Sequence, residues 1–170
     1  MDDLDRRLLD LFSTEPHIGV LGASRRLQVA RGTVQARLDR LEGRGVITGW
    51  APSLSPEALG YPVTAFLTLE IRQDPDGDGG HDAVGEHLRA IPEVLEAHTT
   101  TGTGDLLARV VARSNTDLQR VIDLVLRHTA IQRSSTVIAL ATQIPHRVLP
   151  LVTADAGAAG AQAQPRASES

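Results

Sequence analysis

Three apolar stripes at helical spacing run through the first part of the chain. The first lies in LDRRLLDLF (4–12), where apolar residues recur every three or four positions and where Asp2 or Asp3 can cap the helix. The second covers about residues 18–27, and the third covers about 31–43. A short break separates the last two stripes, as in a helix-turn-helix, whose second helix enters the major groove of DNA.

Further along the chain, apolar and polar residues alternate, and this pattern predicts strands. In VTAFLTLEI (63–71) successive residues alternate between two faces, and the first residue of each pair is apolar. Two other stretches return to the helical period, and Asn115 is the expected cap of the second. The predicted elements are strands over 63–71, 94–101, 105–113 and 131–142 and helices over 81–91 and 115–126. Their order, β-α-β-β-α-β, is that of a ferredoxin-like split unit.

These patterns divide the chain into a head and a larger domain. We predict an α+β protein with a three-helix winged or helix-turn-helix head over residues 1–48, a linker over 49–61 and a ferredoxin-like βαββαβ domain over 62–146. Residues 151–170 are rich in alanine, glycine and polar residues without periodicity, so we expect them to be disordered. The two helices cover one face of the sheet, and the face carrying Phe66 is expected to be covered by another copy in a homodimer.

Charge is distributed unevenly between these parts, and this changes the choice of partner. Residues 17–50 hold six arginines and two acids, whereas residues 51–170 hold nine arginines and fourteen acids. A basic module on an acidic body fits a DNA-binding head. The chain has no cysteine and no apolar run long enough to span a membrane, which excludes thiolate sites and disulfides and predicts a cytoplasmic protein without membrane contact.

The third predicted helix has a polar outer face with the chemistry of DNA contact. If Val34 marks the buried side, Arg31, Thr33 and Gln35 can reach base edges, because arginine pairs with guanine and glutamine with adenine. Two further arginines are expected to contact phosphates, which set the register without reading sequence. The alternative is an ordinary solvated helix face. The predicted DNA-binding residues are Arg31, Gly32, Thr33, Gln35, Arg37 and Arg40.

The chain resembles the Lrp/AsnC, or feast/famine, transcriptional regulators over roughly residues 3–145. The resemblance lies in VQARLDRLEGRGVITGW in the head and in LGYPVTAFLTLEI, IPEVLEAHTTTGTGDLLARVVA and TVIAL in the second domain. It implies a non-enzymatic, nucleoid-associated regulator of double-stranded DNA. It also implies dimers that assemble into tetramers, octamers or similar rings, with amino-acid effectors bound between dimers. The usual Gly-Leu-Ser at the helix-turn-helix break is replaced here by Gln28, Val29 and Ala30.

The stretch TTTGTGD (99–105) is the predicted effector site. Backbone N–H groups around its glycines and its hydroxyls can bind an α-carboxylate, and the carboxylate of Asp105 can bind an ammonium group. The G-x-x-D pattern of the resembled family maps onto Gly102 and Asp105. The alternative is a plain hairpin turn with a solvated Asp105. The predicted effector-binding residues are His98, Thr101, Gly102, Thr103, Gly104 and Asp105.

Other chemistries fit the sequence less well. DPDGDGG (74–80) begins like a calcium loop, but Gly85 stands where the bidentate glutamate is required, so no metal or other cofactor is predicted. No nucleophile and base stand at a spacing that supports catalysis, so no enzyme is predicted. The remaining alternative is an architectural protein that wraps DNA without sensing a ligand, and a response to a small molecule distinguishes the two.

Overall fold

The computed structural model describes residues 1–72 and 80–154. The described residues form two compact units, one comprising residues 1–52 and 144–154 and the other comprising residues 53–72 and 80–143. The rejected calcium-loop residues 74–79 lie outside the described residues, as does most of the tail that was expected to be disordered.

The first unit contains the three predicted helices. They are α1 (Asp3–Thr14), α2 (Gly19–Leu27) and α3 (Arg31–Gly43). Their apolar stripes meet in one core, because Leu8, Ala23 and Val34 are each fully buried, and Leu11 and Leu38 are nearly so. Residues 44–62 contain no strand, so this head is a helix-turn-helix without a β wing.

Local chemistry explains where α1 begins and ends. Asp2 caps the helix by accepting a hydrogen bond from the Asp5 N–H, and the Asp5 carboxylate accepts one from the Asp2 N–H, which completes a capping box. Two residues before Pro16 the helix ends at Thr14, whose hydroxyl donates to the carbonyls of Asp10 and Leu11.

The second unit contains the predicted ferredoxin-like domain. Its elements are β1 (Val63–Ile71), α4 (His81–Arg89), β2 (Val94–Thr99), β3 (Leu106–Ala112), α5 (Asn115–Val125) and β4 (Ile131–Ala139). The strands form one antiparallel sheet in the order β2-β3-β1-β4. Ser114 caps α5 by accepting a hydrogen bond from the Asp117 N–H, so the predicted cap at Asn115 is wrong by one residue.

The two faces of this sheet differ in burial. On the inner face, Leu67 and Leu69 of β1 are fully buried together with Val84 of α4 and Val121 of α5. On the outer face, Phe66 of β1 pairs with Val137 of β4, and their exposed fractions are 38% and 64%. The bare apolar face expected from the sequence is therefore present.

The tail begins differently from the prediction. Residues 149–154 are helical, so the expectation of disorder from residue 151 is wrong for 151–154. Residues 155–170 lie outside the described part of the chain.

Candidate DNA-binding and effector sites

The first turns of α3 present the predicted base-contacting residues to solvent. Arg31, Gly32, Thr33 and Gln35 are all exposed, whereas Val34 between them is fully buried. The Gln35 side-chain amide donates to the Asp39 carboxylate over 2.7 Å. The outward face expected from the sequence is thus in place, and the contact of these residues with bases stays a prediction.

The turn before α3 contains the departures noted in the sequence. Gln28, where the resembled family has glycine, adopts the left-handed conformation with φ 56° and ψ 43°. The Ser24 hydroxyl donates to the Val29 carbonyl and the Val29 N–H donates to the Ser24 carbonyl, which ties this turn back to α2. Ala30 has the extended conformation of an N-cap but supplies no side-chain hydrogen bond to α3.

Arg37 and Arg40 have partners within the head that the sequence interpretation missed. Arg37 Nη1 donates to Asp5 Oδ1 over 3.0 Å and also to the Asp2 carboxylate. Arg40 Nη2 lies 2.8 Å from both oxygens of Asp5. Their contact with phosphates stays a prediction, and this arrangement weighs against it. The capping-box spacing of Asp2 and Asp5 indicated a helix start but not a partner 32 residues away.

The surroundings of these carboxylates shift their ionisation. Burial of Asp5 disfavours its charged form, but hydrogen bonds from Arg37 and from the Asp2 N–H outweigh burial and lower its pKa. The hydrogen bond from Arg37 lowers the pKa of Asp2 to about 2. Hydrogen bonds to Asp2 and Asp5 in turn raise the pKa of Arg37. The cluster is therefore ionised at neutral pH.

Other arginines of the head remain available to a polyanion. Arg25 at the end of α2, Arg31 at the start of α3 and Arg44 after α3 are exposed, and the described part of the chain offers none of them an ion-pair partner. By contrast, Arg26 forms two hydrogen bonds with the carboxylate of Glu15. These three free guanidinium groups thus lie at the ends of α2 and α3.

The predicted effector stretch forms a turn fixed to β1. The Asp105 N–H donates to the Leu69 carbonyl, and Asp105 Oδ2 accepts from the Ile71 N–H over 2.6 Å. Within the turn, the Thr100 hydroxyl donates to the Gly104 carbonyl, and Gly102 has a φ of 114°, which favours glycine. Asp105 is half-buried and one of its carboxylate oxygens is bonded to Ile71, so it is not a freely solvated carboxylate.

Of the predicted effector residues, His98 lies apart from the turn that holds the others. Thr101, Gly102 and Thr103 are exposed on the turn, whereas Gly104 is partly covered by Thr68. His98 is exposed on the edge strand β2, with its Nε2 3.9 Å from the carboxylate of Glu96. The turn residues are thus brought together, whereas His98 lies on β2 beside Glu96.

A polar cleft of ≈ 260 Å³ adjoins this turn on the outer face of the sheet. Of the predicted effector residues, Thr103 lines this cleft. The remaining lining residues were not predicted, and they are Thr68, Glu70, Arg133, Ser134 and Ser135. Arg133 lies across from Glu70 in the β1–β4 register, with 4.0 Å between their charged groups. The cleft therefore offers both signs of charge. The alternation along β1 and β4 could have indicated these residues once the register of the two strands was known.

Within residues 1–72 and 80–154, no three histidines or acids cluster as a metal site would require. No helix in those same ranges combines the length and the apolar character needed to cross a membrane.

Comparison with known proteins gives matches in both units. The model of the AsnC-type helix-turn-helix domain matches residues 1–42, and that of the Lrp/AsnC ligand binding domain matches residues 64–149. The structure of AsnC from Escherichia coli is similar, with a TM-score of 0.78 and 28% identity, over 88% of this chain and 99% of that one.

Two similar structures hold an amino acid. A transcriptional regulator from Neisseria meningitidis, solved as an L-methionine complex, has a TM-score of 0.75 and 25% identity over 86% of this chain and 93% of that one. A feast or famine regulatory protein from M. tuberculosis, also complexed with L-methionine, has a TM-score of 0.75 and 26% identity over 86% and 97%. With matches along both units, the chain belongs to the Lrp/AsnC family and is a DNA-binding transcriptional regulator rather than an enzyme.

Proposed function

We propose that this regulator binds specific sequences of double-stranded DNA through α3 and that a bound amino acid changes its DNA binding or its assembly. In the head, Arg31, Thr33 and Gln35 contact base edges, with Gly32 allowing close approach of the backbone. Their exposure on the first turns of α3 supports these roles.

The phosphate contacts are better assigned to the free arginines. Arg25 and Arg44 are exposed without an ion-pair partner in the described residues, whereas Arg37 and Arg40 are engaged by Asp5. Because affinity for DNA includes release of counterions from each neutralised phosphate, binding weakens steeply as salt rises.

The observation that carries the effector proposal is the charged cleft beside the turn. Arg133 can hold an α-carboxylate through two parallel hydrogen bonds. The carboxylate of Glu70 lies 4.0 Å from the Arg133 guanidinium, where it can accept a hydrogen bond from the ammonium group of the same ligand. Asp105 does not line the cleft but belongs to the same turn as Thr103, and we propose its second carboxylate oxygen, the one not bonded to Ile71, as a further acceptor for the ligand. The L-methionine complexes of the two relatives support an amino acid as the ligand class. No further cofactor is proposed.

Self-association is part of the proposal. The outer sheet face exposes Phe66 and Val137, which a second copy covers in a dimer, and dimers combine into tetramers or octamers. Two heads on one dimer then contact half-sites about one helical turn of DNA apart.

A thermal-shift panel of the twenty amino acids at millimolar concentration tests the effector site. L-methionine is the first ligand, and wild type is compared with Asp105→Asn, which removes the charge and keeps an oxygen to accept from Ile71. A selective rise in the unfolding midpoint that vanishes in Asp105→Asn supports the proposal, because a ligand of the native state stabilises it by mass action.

A flat panel would favour the second candidate function, an architectural protein that wraps DNA without a ligand. The two are separated by measuring DNA affinity with and without each amino acid. The architectural protein retains its affinity throughout, whereas the proposed regulator does not.

A further inference from the structure

Asp5 is the one charged side chain that is fully buried among the described residues. Both of its oxygens are occupied. Oδ1 accepts from Arg37 over 3.0 Å and from Arg40 over 2.8 Å, and Oδ2 accepts from Arg40 over 2.8 Å and from the Asp2 N–H over 3.2 Å. A buried carboxylate with this many charge-assisted donors is fully compensated.

These bonds join the N-terminus of α1 to the middle of the recognition helix. Arg37 and Arg40 stand three residues apart on α3, so one carboxylate holds two points along the helix. Between them Leu38 packs into the head core. The bonds therefore restrict both rotation and sliding of α3, which the apolar contacts alone, being non-directional, restrict less.

The charge of Asp5 has an opposite effect on DNA. A carboxylate beside the recognition helix repels phosphates, and it also occupies two of the helix's arginines. On electrostatic grounds alone, removal of the Asp5 charge would thus raise the affinity of the head for DNA. The geometric role and the electrostatic role predict opposite signs for the same substitution.

We propose that Asp5 is a positioning residue for DNA reading, which fixes α3 through Arg37 and Arg40, and that these two arginines do not contact phosphate. The inference rests on the proposed DNA-binding role of α3. It gives Asp5 a role in orienting Arg31, Thr33 and Gln35, although Asp5 is far from these residues in the sequence.

The first experiment compares Asp5→Asn with Asp10→Asn. Both remove one negative charge from α1, but Asp10 is exposed and carries no ion pair with any described residue. The probe is a fluorescein-labelled duplex that the wild-type protein selects from a random-sequence library, and affinity is measured by anisotropy. We expect Asp5→Asn to bind at least about tenfold more weakly, since a buried pair is broken, and Asp10→Asn to bind equally or more tightly. Tighter binding by Asp5→Asn would overturn the proposal.

The second experiment covers the case in which Asp5→Asn does not fold. Arg37→Gln, Arg40→Gln and the control Arg25→Gln each remove one positive charge, and their Kd values are measured over a series of salt concentrations. A phosphate contact contributes about 0.9 to the slope of log K against log salt. We expect weaker binding with an unchanged slope for Arg37→Gln and Arg40→Gln, and a shallower slope for Arg25→Gln.

A slope reduced by about 0.9 in Arg37→Gln or Arg40→Gln would make that residue a phosphate contact and overturn the proposal. An unchanged Kd in both would overturn it as well, because a helix that needs no fixing loses nothing. Fluorescence of Trp50, the chain's one tryptophan, reports whether each head is folded, since its ring packs against Phe12 at 5.3 Å. A wild-type protein that selects no duplex would overturn the proposed function and the inference together, a result distinct from losses confined to the variants.

Discussion

At the scale of single residues, Gln28 carries a conformation that glycine adopts more easily. It is the one residue other than glycine with a positive φ among the described residues, and it follows α2 directly as its C-cap. Its Cβ approaches the backbone in this left-handed region, which costs about 1–2 kcal/mol for residues other than glycine. Asparagine and aspartate relieve part of this cost with local hydrogen bonds, but the longer side chain of glutamine does so less readily.

We therefore expect Gln28→Gly to stabilise the head by about 0.5–1 kcal/mol, after the larger entropy of glycine in the unfolded chain is subtracted. Urea unfolding followed by Trp50 fluorescence measures the free energy of unfolding. Gln28→Ala is the matched control, because it removes the polar side chain and keeps the Cβ. Equal stabilisation by alanine and glycine would show that backbone strain is not the cause.

Single residues also show where sequence interpretation is accurate and where it slips. The sequence showed that Gln28 replaces the usual glycine and that Ala30 replaces the usual capping residue. In the structure Gln28 adopts the left-handed conformation and Ala30 makes no capping hydrogen bond. The cap of α5 was placed at Asn115 although Ser114 makes the bond. Both residue types cap helices well, so adjacent candidates cannot be ranked by type alone. The backbone angles decide which residue is the N-cap, and these angles depend on the path of the chain between the end of β3 and the start of α5.

At the scale of elements, the bonds between α1 and α3 make the head sensitive to acid. Hydrogen bonding with Arg37 lowers the pKa of Asp2 from 3.8 to about 2. The pKa of Asp5 is also lowered, although burial of its carboxylate acts in the opposite direction. A carboxylate with a depressed pKa stabilises the fold fully above its unfolded value, and this contribution is lost as pH falls through the folded value. The contribution of Asp2 is thus fully present above its unfolded pKa of 3.8 and is lost as pH falls toward about 2. The contribution of Asp5 is likewise present above 3.8 and is lost at lower pH.

The urea midpoint of the head, followed by Trp50 fluorescence, should therefore fall as pH decreases below 3.8 toward about 2. In Arg37→Gln the Asp2 shift loses its largest cause, so the same fall should be shallower. An identical acid dependence in wild type and Arg37→Gln would contradict the assignment of this effect to the α1–α3 cluster.

The turn between β2 and β3 depends on a close approach to β1. A Cβ on Gly104 would clash with Thr68 Cγ2 and would lie 3.4 Å from the Leu69 carbonyl oxygen. Threonine is β-branched and stiff at χ1, so its methyl group cannot move away without leaving its rotamer. The glycine in this part of the predicted effector site therefore serves the packing of the turn.

Gly104→Ala should destabilise the second domain by about 1–3 kcal/mol, the usual cost of overpacking. Thr68→Ser removes the methyl group that the new Cβ meets and keeps the hydroxyl, so the double variant should regain most of the loss. Differential scanning calorimetry of the two single variants and the double variant measures this coupling. Additive effects would contradict a direct contact between the two positions.

Element bounds followed from the sequence because burial determines periodicity. The helices α1–α5 and the strands β1–β4 lie where the apolar pattern placed them, within two or three residues at each end, whereas the helical residues 149–154 were not predicted. The partners of polar side chains did not follow. Periodicity shows that Arg37 lies beside the buried stripe of α3, but not that Asp5 of α1 lies opposite. The same limit explains why Thr103 was predicted and Arg133 was not, since the proximity of the two residues depends on the strand register.

At the scale of the whole molecule, the outer sheet face connects fold and assembly. Strand alternation predicted that Phe66 and its neighbours would lie on one face, and the two helices cover the other. Val137 is 64% exposed beside Phe66, although valine is usually buried in a sheet. The polar cleft of Glu70 and Arg133 lies on this same face of β1 and β4. A partner that covers the apolar pair would therefore bring its own surface close to the proposed ligand.

The last prediction concerns that partner. Val137→Asp places a charge where a dimer would exclude water, and burying an unpaired charge costs several kcal/mol, so the assembly should dissociate toward monomers. Size-exclusion chromatography with light scattering measures the mass of wild type and variant. Leu126→Asp is the control, because Leu126 is 39% exposed at the end of α5, away from the sheet face. An unchanged mass in Val137→Asp would place the interface elsewhere and would separate the effector cleft from the dimer contact.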